Sequence, residues 1–207
     1  MKKKLVLFDF DGTITTRDTL LEFLRFYKGD AKFLLGMIVL SPVLALYFLK
    51  LIPNWKAKQK CLAWFLGGEN VSDFEAKCKA FTETVLPRLI RPKALAAIEE
   101  YSAQKATVAV VSASAESWIG PWCRQNGVVC VATQLEIVDG RITGRLCGEN
   151  CYGPAKVKRI VNQFTLAEFD EIIAYGDSSG DREMFDLADQ QFYKPFREKV
   201  TAATGSR

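Results

Sequence analysis

The amino-acid sequence predicts an α/β fold, a parallel sheet interrupted by a long helical insertion, from three observations. Short apolar runs at residues 4–10, 107–111 and 171–177 read as strands buried on both faces. Helical patterns separate the later runs, as a parallel sheet with crossover helices requires. From about Asp18 to Tyr101 the pattern is almost entirely helical, punctuated by Gly29-Asp30, Ser41-Pro42, Pro53-Asn54, Gly67-Gly68 and Pro87.

In chain order, Leu5-Val6-Leu7-Phe8 opens the first strand and Gly12 turns the backbone after it. Asp18 and Ser72 are N-cap candidates within the insertion. Thr107–Val111 is a β-branched strand ending at Ser112, followed by a helix from about Glu116 to Asn126 with Gly127 at the C′ position. Alternation on either side of Asp139-Gly140, over Leu135–Thr143, predicts a β-hairpin with a tight turn. Pro154 suits the first turn of the next helix. Glu171–Asp177 is the third sheet strand, a helix runs from Asp181 to about Ala188, and Gln191–Tyr193 closes the series.

Composition bounds the function classes. With 207 residues, 49% hydrophobic and 25% charged, the chain is long enough for one good globular core, or one core plus a small accessory domain. The net charge of +4 comes with no basic stripe interleaved with aromatics, so no nucleic-acid partner is expected. The six cysteines lack CxxC spacing and histidine is absent, which argues against Cys/His zinc sites and for free thiols in a reducing cytoplasm. Without histidine, acid–base chemistry falls to carboxylates, lysine, tyrosine or cysteine. Lys2-Lys3-Lys4 and the apolar run after them resemble a secretory signal, but Asp9 and Asp11 interrupt the run too early, so no cleavable leader is expected.

The stretch Phe33–Leu49 is uncharged between Lys32 and Lys50. It falls short of the roughly 20 residues a spanning helix needs, and Ser41-Pro42 is expected to break it midway. Three readings stay open: two buried helices lining an apolar substrate pocket, a membrane-surface hairpin or re-entrant segment, and, least favoured, a transmembrane span.

Chemistry concentrates at strand ends. Asp9 and Asp11 share one side-chain parity at the end of the first strand, where open α/β sheets bind ligands. Two unpaired acids at a core edge are costly unless a cation sits between them. Ser112 ends the second strand, Lys156 opens a helix, and Gly176-Asp177-Ser178-Ser179-Gly180-Asp181 ends the third. Singly, each has an ordinary structural explanation as a turn residue, helix cap or solvated lysine.

Together and in this order they resemble the haloacid dehalogenase (HAD) superfamily, subfamily IB, the phosphoserine-phosphatase-like branch. Asp9-Phe10-Asp11-Gly12-Thr13 matches D-x-D-x-T, and Gly176-Asp177 through Asp181 matches G-D-x-x-x-D. The resemblance implies a Rossmann-like parallel sheet core over residues 1–16 and 104–207 with an all-helical C1 cap over residues 17–103. It implies a Mg²⁺-dependent phosphatase in which Asp9 attacks phosphorus and Asp11 serves as general acid and base. Asp9, the backbone carbonyl of Asp11 and Asp177 would hold Mg²⁺, with Asp181 acting through water or by orienting neighbours. Ser112 and Lys156 would bind phosphoryl oxygens. Asp11 sets this chain apart from the superfamily's haloalkanoic acid dehalogenases, which lack that acid. Asp18 matches the acid that contacts substrate in phosphoserine phosphatases, and Ala113 stands where that branch carries glycine. The helix around Lys56–Lys60 offers lysines and no arginine, a departure from phosphoserine recognition.

The apolar insertion is similar in composition and placement to bacterial phosphatidylglycerophosphatases of the same branch. The expected substrate is therefore a small phosphomonoester or, alternatively, a phospholipid headgroup. The second would be reached from the inner face of the membrane through residues 33–49 of a cytoplasmic chain. A phosphate-binding protein without catalysis is the remaining alternative.

Overall fold

The computed structural model describes residues 2–197; residue 1 and residues 198–207, part of the range expected for the core, lie outside it. Six strands form one sheet: β1 (Lys4–Phe8), β2 (Thr107–Ala115), β3 (Val129–Val138), β4 (Arg141–Cys147), β5 (Glu171–Gly176) and β6 (Gln190–Tyr193). Their order is β4-β3-β2-β1-β5-β6, parallel throughout except for the antiparallel β3–β4 pair. This is the mixed, mostly parallel Rossmann-like α/β sheet, with β1 at its centre.

The apolar run of β1 is buried on both faces because helices cover both. Leu5 and Leu7 share one face with Ala109, Val111, Ile172 and Ala174. Val6 and Phe8 share the other with Val108, Val110, Ile173 and Tyr175. Each fully buried side chain of this size contributes roughly 1.5–3 kcal/mol. The second face is covered by α5 (Pro92–Ala103) and α6 (Glu116–Gln125), through Ile98, Trp118 and Ile119. The first is covered by α7 (Pro154–Gln163) and the single-turn α8 (Arg182–Phe185), through Ile160 and Met184.

Four further helices, α1 (Thr19–Lys28), α2 (Asp30–Phe48), α3 (Asn54–Leu66) and α4 (Val71–Thr84), come between β1 and α5. An aromatic cluster ties them to the sheet layer: Phe23 stacks on Trp118 at 4.7 Å and meets Phe74 and Phe81 edge-on. The β3–β4 hairpin reaches up to the α3–α4 connection, where Gly68 N–H donates to Ile142 and Ile142 N–H to Glu69. The two chain crossings run side by side, Thr16 N–H donating to Leu89 and Arg91 N–H to Ile14. α5 packs against β2, and the Tyr101 hydroxyl lies 2.8 Å from that of Tyr175.

Four expectations need correction. Ser41-Pro42 does not break the insertion: α2 runs through Pro42, which is exposed, as is Ile38 four residues before it. The N-cap of α4 is Asn70, whose side chain accepts from Ser72 N–H, rather than Ser72 itself. β3 begins at Val129 and pairs with β2 before it turns into the hairpin, so it serves two neighbours. The helix expected to reach Ala188 stops at Phe185, because Asp189 accepts from Ile172 N–H and draws the chain back to the sheet. The hairpin turn forms where expected, with Asp139 and Gly140 both at positive φ. All six cysteines are free thiols.

Candidate active site

Three adjacent strands deliver the site. β2, β1 and β5 end at the same edge of the sheet, and the residues just beyond them carry its polar groups. Asp9 N–H still bonds to the Tyr175 carbonyl at 2.8 Å, so Asp9 is anchored to the sheet. The chain then turns sharply through Gly12, at φ +79°. A Cβ added there would sit 2.3 Å from Asp177 Oδ2, which only glycine avoids.

Lys156, in the first turn of α7, is buried and places Nζ 2.6 Å from Asp9 Oδ1 and 2.6 Å from Asp181 Oδ1. Burial opposes its charge, yet the two carboxylates outweigh burial and hold the ammonium above its ordinary range. Asp181 takes three further donors on Oδ2: the N–H groups of Asp177 and Ser178 and the Ser178 hydroxyl. Although burial works against the ionised form, Lys156 and these hydrogen bonds keep Asp181 below the usual carboxylate range. With both oxygens committed, Asp181 positions Lys156 and the loop carrying Asp177.

Asp9 is buried, and its Oδ2 accepts from the Thr13 hydroxyl at 3.3 Å. Burial pushes its carboxyl up to about 7 against the pull of Lys156, with Asp181 and Asp11 adding to the rise. Asp177 is raised as well, by burial and by Asp181, against Arg197, whose guanidinium donates to Oδ2 at 2.7 Å. Oxygens of Asp9, Asp177 and Asp181 all lie within 4.8 Å of one another. An all-oxygen, acid-rich set around raised carboxyls fits a hard divalent cation such as Mg²⁺.

The Asp11 carboxylate stands outside that cluster. Its Oδ1 accepts from Thr19 N–H at 2.7 Å and its Oδ2 from the Ser114 hydroxyl. Ser114 Oγ in turn meets Thr19 Oγ1, which accepts from the indole of buried Trp118. Burial and the charge of Asp18 raise Asp11 above its ordinary value, while the Ser114 and Thr19 hydrogen bonds restrain the rise.

A cavity of about 300 Å³ opens over these groups, lined by Asp9, Asp11, Asp18, Ala113, Ser114, Lys156, Asp177 and Asp181. Asp18 does two things, lining the cavity and capping α1 by accepting from Leu20 and Leu21 N–H. A register shift in β2 between Ser112 and Ala115 turns Ala113 and Ser114 toward the cavity. Ser112 lies beneath them, fully buried, its Oγ accepting from Ser114 N–H at 3.0 Å.

Sequence reasoning missed Ser114 as the hydroxyl on Asp11, and missed Lys58. Lys58 leaves α3, lines the cavity and donates to the Ala113 carbonyl and to Asn150 Oδ1. Burial lowers it to about 8, partly offset by Asp11 and Asp18. The Lys56–Lys60 run drew notice in the sequence, but only the fold selects Lys58 from it.

Known proteins share the sequence and fold that carry these residues. Protein CicA of Caulobacter vibrioides is 36% identical over 197 residues, covering 94% of this chain and 87% of that protein. A crystal structure of a Bordetella pertussis Tohama I protein of unknown function superposes with a TM-score of 0.80 at 25% identity, covering 92% of this chain and 89% of the other. A phosphoserine phosphatase captured as a phospho-aspartyl intermediate analogue shares the fold, with a TM-score of 0.67 at 22% identity and coverage of 92% and 86%. The family model described as haloacid dehalogenase-like hydrolase matches residues 6–186, a span that runs from β1 to the end of α8 and takes in every acid and both lysines of the site. The chain belongs to the haloacid dehalogenase-like hydrolases.

Proposed function

We propose that this hydrolase is a Mg²⁺-dependent phosphatase that cleaves a phosphomonoester through an aspartyl-phosphate formed on Asp9. The observation that carries this reading is the buried Lys156 ammonium bridging Asp9 and Asp181 beside Asp177. A carboxylate can approach an anionic phosphoryl group only where positive charge is already fixed around it. Asp9, the Asp11 carbonyl and Asp177 would hold Mg²⁺, with Asp181 behind them; when bound, the ion supplies further charge neutralisation at the phosphoryl oxygens.

Asp9 attacks phosphorus with the carboxylate oxygen that Lys156 leaves free, and the ester P–O bond breaks. Asp11, whose hold on a proton is strengthened by burial and by Asp18, gives its proton to the leaving oxygen. In the second half it takes a proton from water, which attacks phosphorus, breaks the bond to Asp9 and releases orthophosphate. Lys156 neutralises charge throughout. Ser112 supports the Ala113–Ser114 turn from beneath and would donate its hydroxyl to a phosphoryl oxygen seated there. Asp18 and Ala113 border the body of the substrate. We place the cap on α1–α4 within residues 17–103 and group α5 with the core it packs against.

Turnover of p-nitrophenyl phosphate with Mg²⁺ tests the proposal. Activity should vanish with EDTA and in Asp9→Asn, and rapid quench of the wild type should trap a phosphate-sized mass increase on Asp9. Undiminished turnover in Asp9→Asn would refute the mechanism, and no turnover at all would favour a non-catalytic phosphate-binding protein.

The substrate is a small phosphorylated compound. A second reading makes it a phospholipid headgroup, met at the inner face of the membrane through residues 33–49. One observation favours it: α2 lines the cavity on one side and stands in solvent on the other.

A further inference from the structure

Leu34, Leu35, Ile38, Leu46 and Phe48 all project from α2 into solvent, between 41% and 77% exposed. A contiguous apolar face of this kind on a folded chain marks a surface that meets something apolar. α2 cannot be turned inward to hide it, because its other side is already used. Gly36 is pressed against the Phe65 and Trp64 rings, and Phe33 stacks on Phe65 at 5.8 Å. Met37, Leu44 and Tyr47 line the catalytic cavity.

The surrounding charge is one-sided. From Ala31 to Gly68 the chain has five lysines and neither aspartate nor glutamate, although the whole sequence carries 24 acids. Lys32, Lys50, Lys56 and Lys60 are exposed around the apolar face. Trp55 and Trp64 are also half-exposed there, with Lys56 over the Trp55 ring. Exposed apolar residues flanked by lysines and tryptophans suit a surface that enters an anionic membrane interface. At 19 residues α2 is about 28 Å long. Packed along α3, it has one long side taken up by protein.

We propose that the α2–α3 hairpin docks the cap on an anionic lipid surface, and that the substrate is a lipid-borne phosphomonoester. Its apolar body would enter along Met37, Leu44 and Tyr47 while its phosphate reaches Asp9. This rests on the phosphatase reading for its chemistry and on the exposed face of α2 for its partner. Charge complementarity selects an anionic bilayer over a second copy of this chain, because two such lysine-rich faces would repel.

The experiment is co-sedimentation with vesicles of phosphatidylcholine alone and of phosphatidylcholine mixed with phosphatidylglycerol. It is paired with p-nitrophenyl phosphate turnover and sedimentation velocity. Wild type should pellet with the mixed vesicles and lose binding as salt rises. The double variant Leu34→Glu/Ile38→Glu should partition about tenfold less or weaker still, and Lys32→Glu/Lys50→Glu should fall similarly on anionic vesicles only. Both variants should keep soluble-substrate turnover within about twofold, since neither pair touches the cavity. Wild type remaining in the supernatant, or unchanged pelleting of both variants, would overturn the docking surface. So would a wild-type dimer that becomes monomeric in Leu34→Glu/Ile38→Glu without any vesicle binding. Vesicle binding without turnover of any phosphomonoester would sink the phosphatase reading instead and leave the docking surface standing.

Discussion

Replacing Asp9 with asparagine should abolish turnover and yet stabilise the metal-free protein at alkaline pH. Burial moves the Asp9 carboxyl from 3.8 to about 7 despite the Lys156 ion pair, so the fold prefers its neutral form. That displacement corresponds to about 4 kcal/mol of difference between the two protonation states. The unfolded chain surrenders this proton near pH 4, whereas the folded chain holds it until about pH 7. The contribution of Asp9 to stability is therefore complete below pH 4 and lost as pH rises through 7. Asparagine has no proton to lose, and Lys156 keeps its bond to Asp181. Urea unfolding in EDTA, followed by tryptophan fluorescence, should give similar stabilities for the two chains near pH 4.5. At pH 8 Asp9→Asn should be more stable by roughly 3–4 kcal/mol. Mg²⁺ should narrow that gap, because it binds the ionised carboxylate of the wild type and adds about 2.7 kcal/mol at a hundredfold excess over Kd. Parallel pH profiles, or an Asp9→Asn chain that is the less stable one at pH 8, would refute the reasoning.

What could be read from the sequence was local. Asp9, Asp11 and Gly12 announce themselves because an apolar run, two carboxylates and a turn lie within nine residues of chain. Asp177 and Asp181 are likewise one turn apart, and the fold adds only that Asp181 spends its oxygens on Lys156 and its own loop. Lys58 was hidden because its partners are remote, Ala113 lying 55 residues away and Asn150 92. No pattern along a helix reveals which of three neighbouring lysines turns inward. Rules of local propensity also yielded where burial did not enforce them. Proline inside a helix removes one hydrogen bond, and here Pro42 and Ile38, four residues before it, are both exposed, so water replaces the missing donor. The capping role passed from Ser72 to Asn70 because either residue can start a helix, and contact of Val71 N–H with the Gly140 carbonyl fixes the earlier start. The Arg197 contact to Asp177 joins the chain's last described turn to the site, and nothing in the sequence around it signals that.

Substitutions at three more positions probe the same geometry. Lys156→Met should cost about 3–5 kcal/mol at pH 8, measured by urea unfolding, because it strands two buried carboxylates; the loss should shrink toward pH 4 as they protonate. Lys58→Met should raise KM for p-nitrophenyl phosphate about tenfold while leaving stability within ~1 kcal/mol, and Lys58→Arg should restore most of the loss, since the buried charge is held by uncharged acceptors and faces the cavity. A KM that is unchanged would assign Lys58 to cap packing alone. Gly12→Ala separates geometry from charge. A left-handed backbone costs a side chain about 1–2 kcal/mol, which the fold survives. The added Cβ, however, would lie 2.3 Å from Asp177 Oδ2, so either the turn carrying Asp11 or Asp177 itself must move. Both bear on the proposed Mg²⁺ ligands, so calorimetric Mg²⁺ affinity should fall further than stability does. Retention of wild-type Mg²⁺ affinity in Gly12→Ala would mean that Asp177 does not hold the ion.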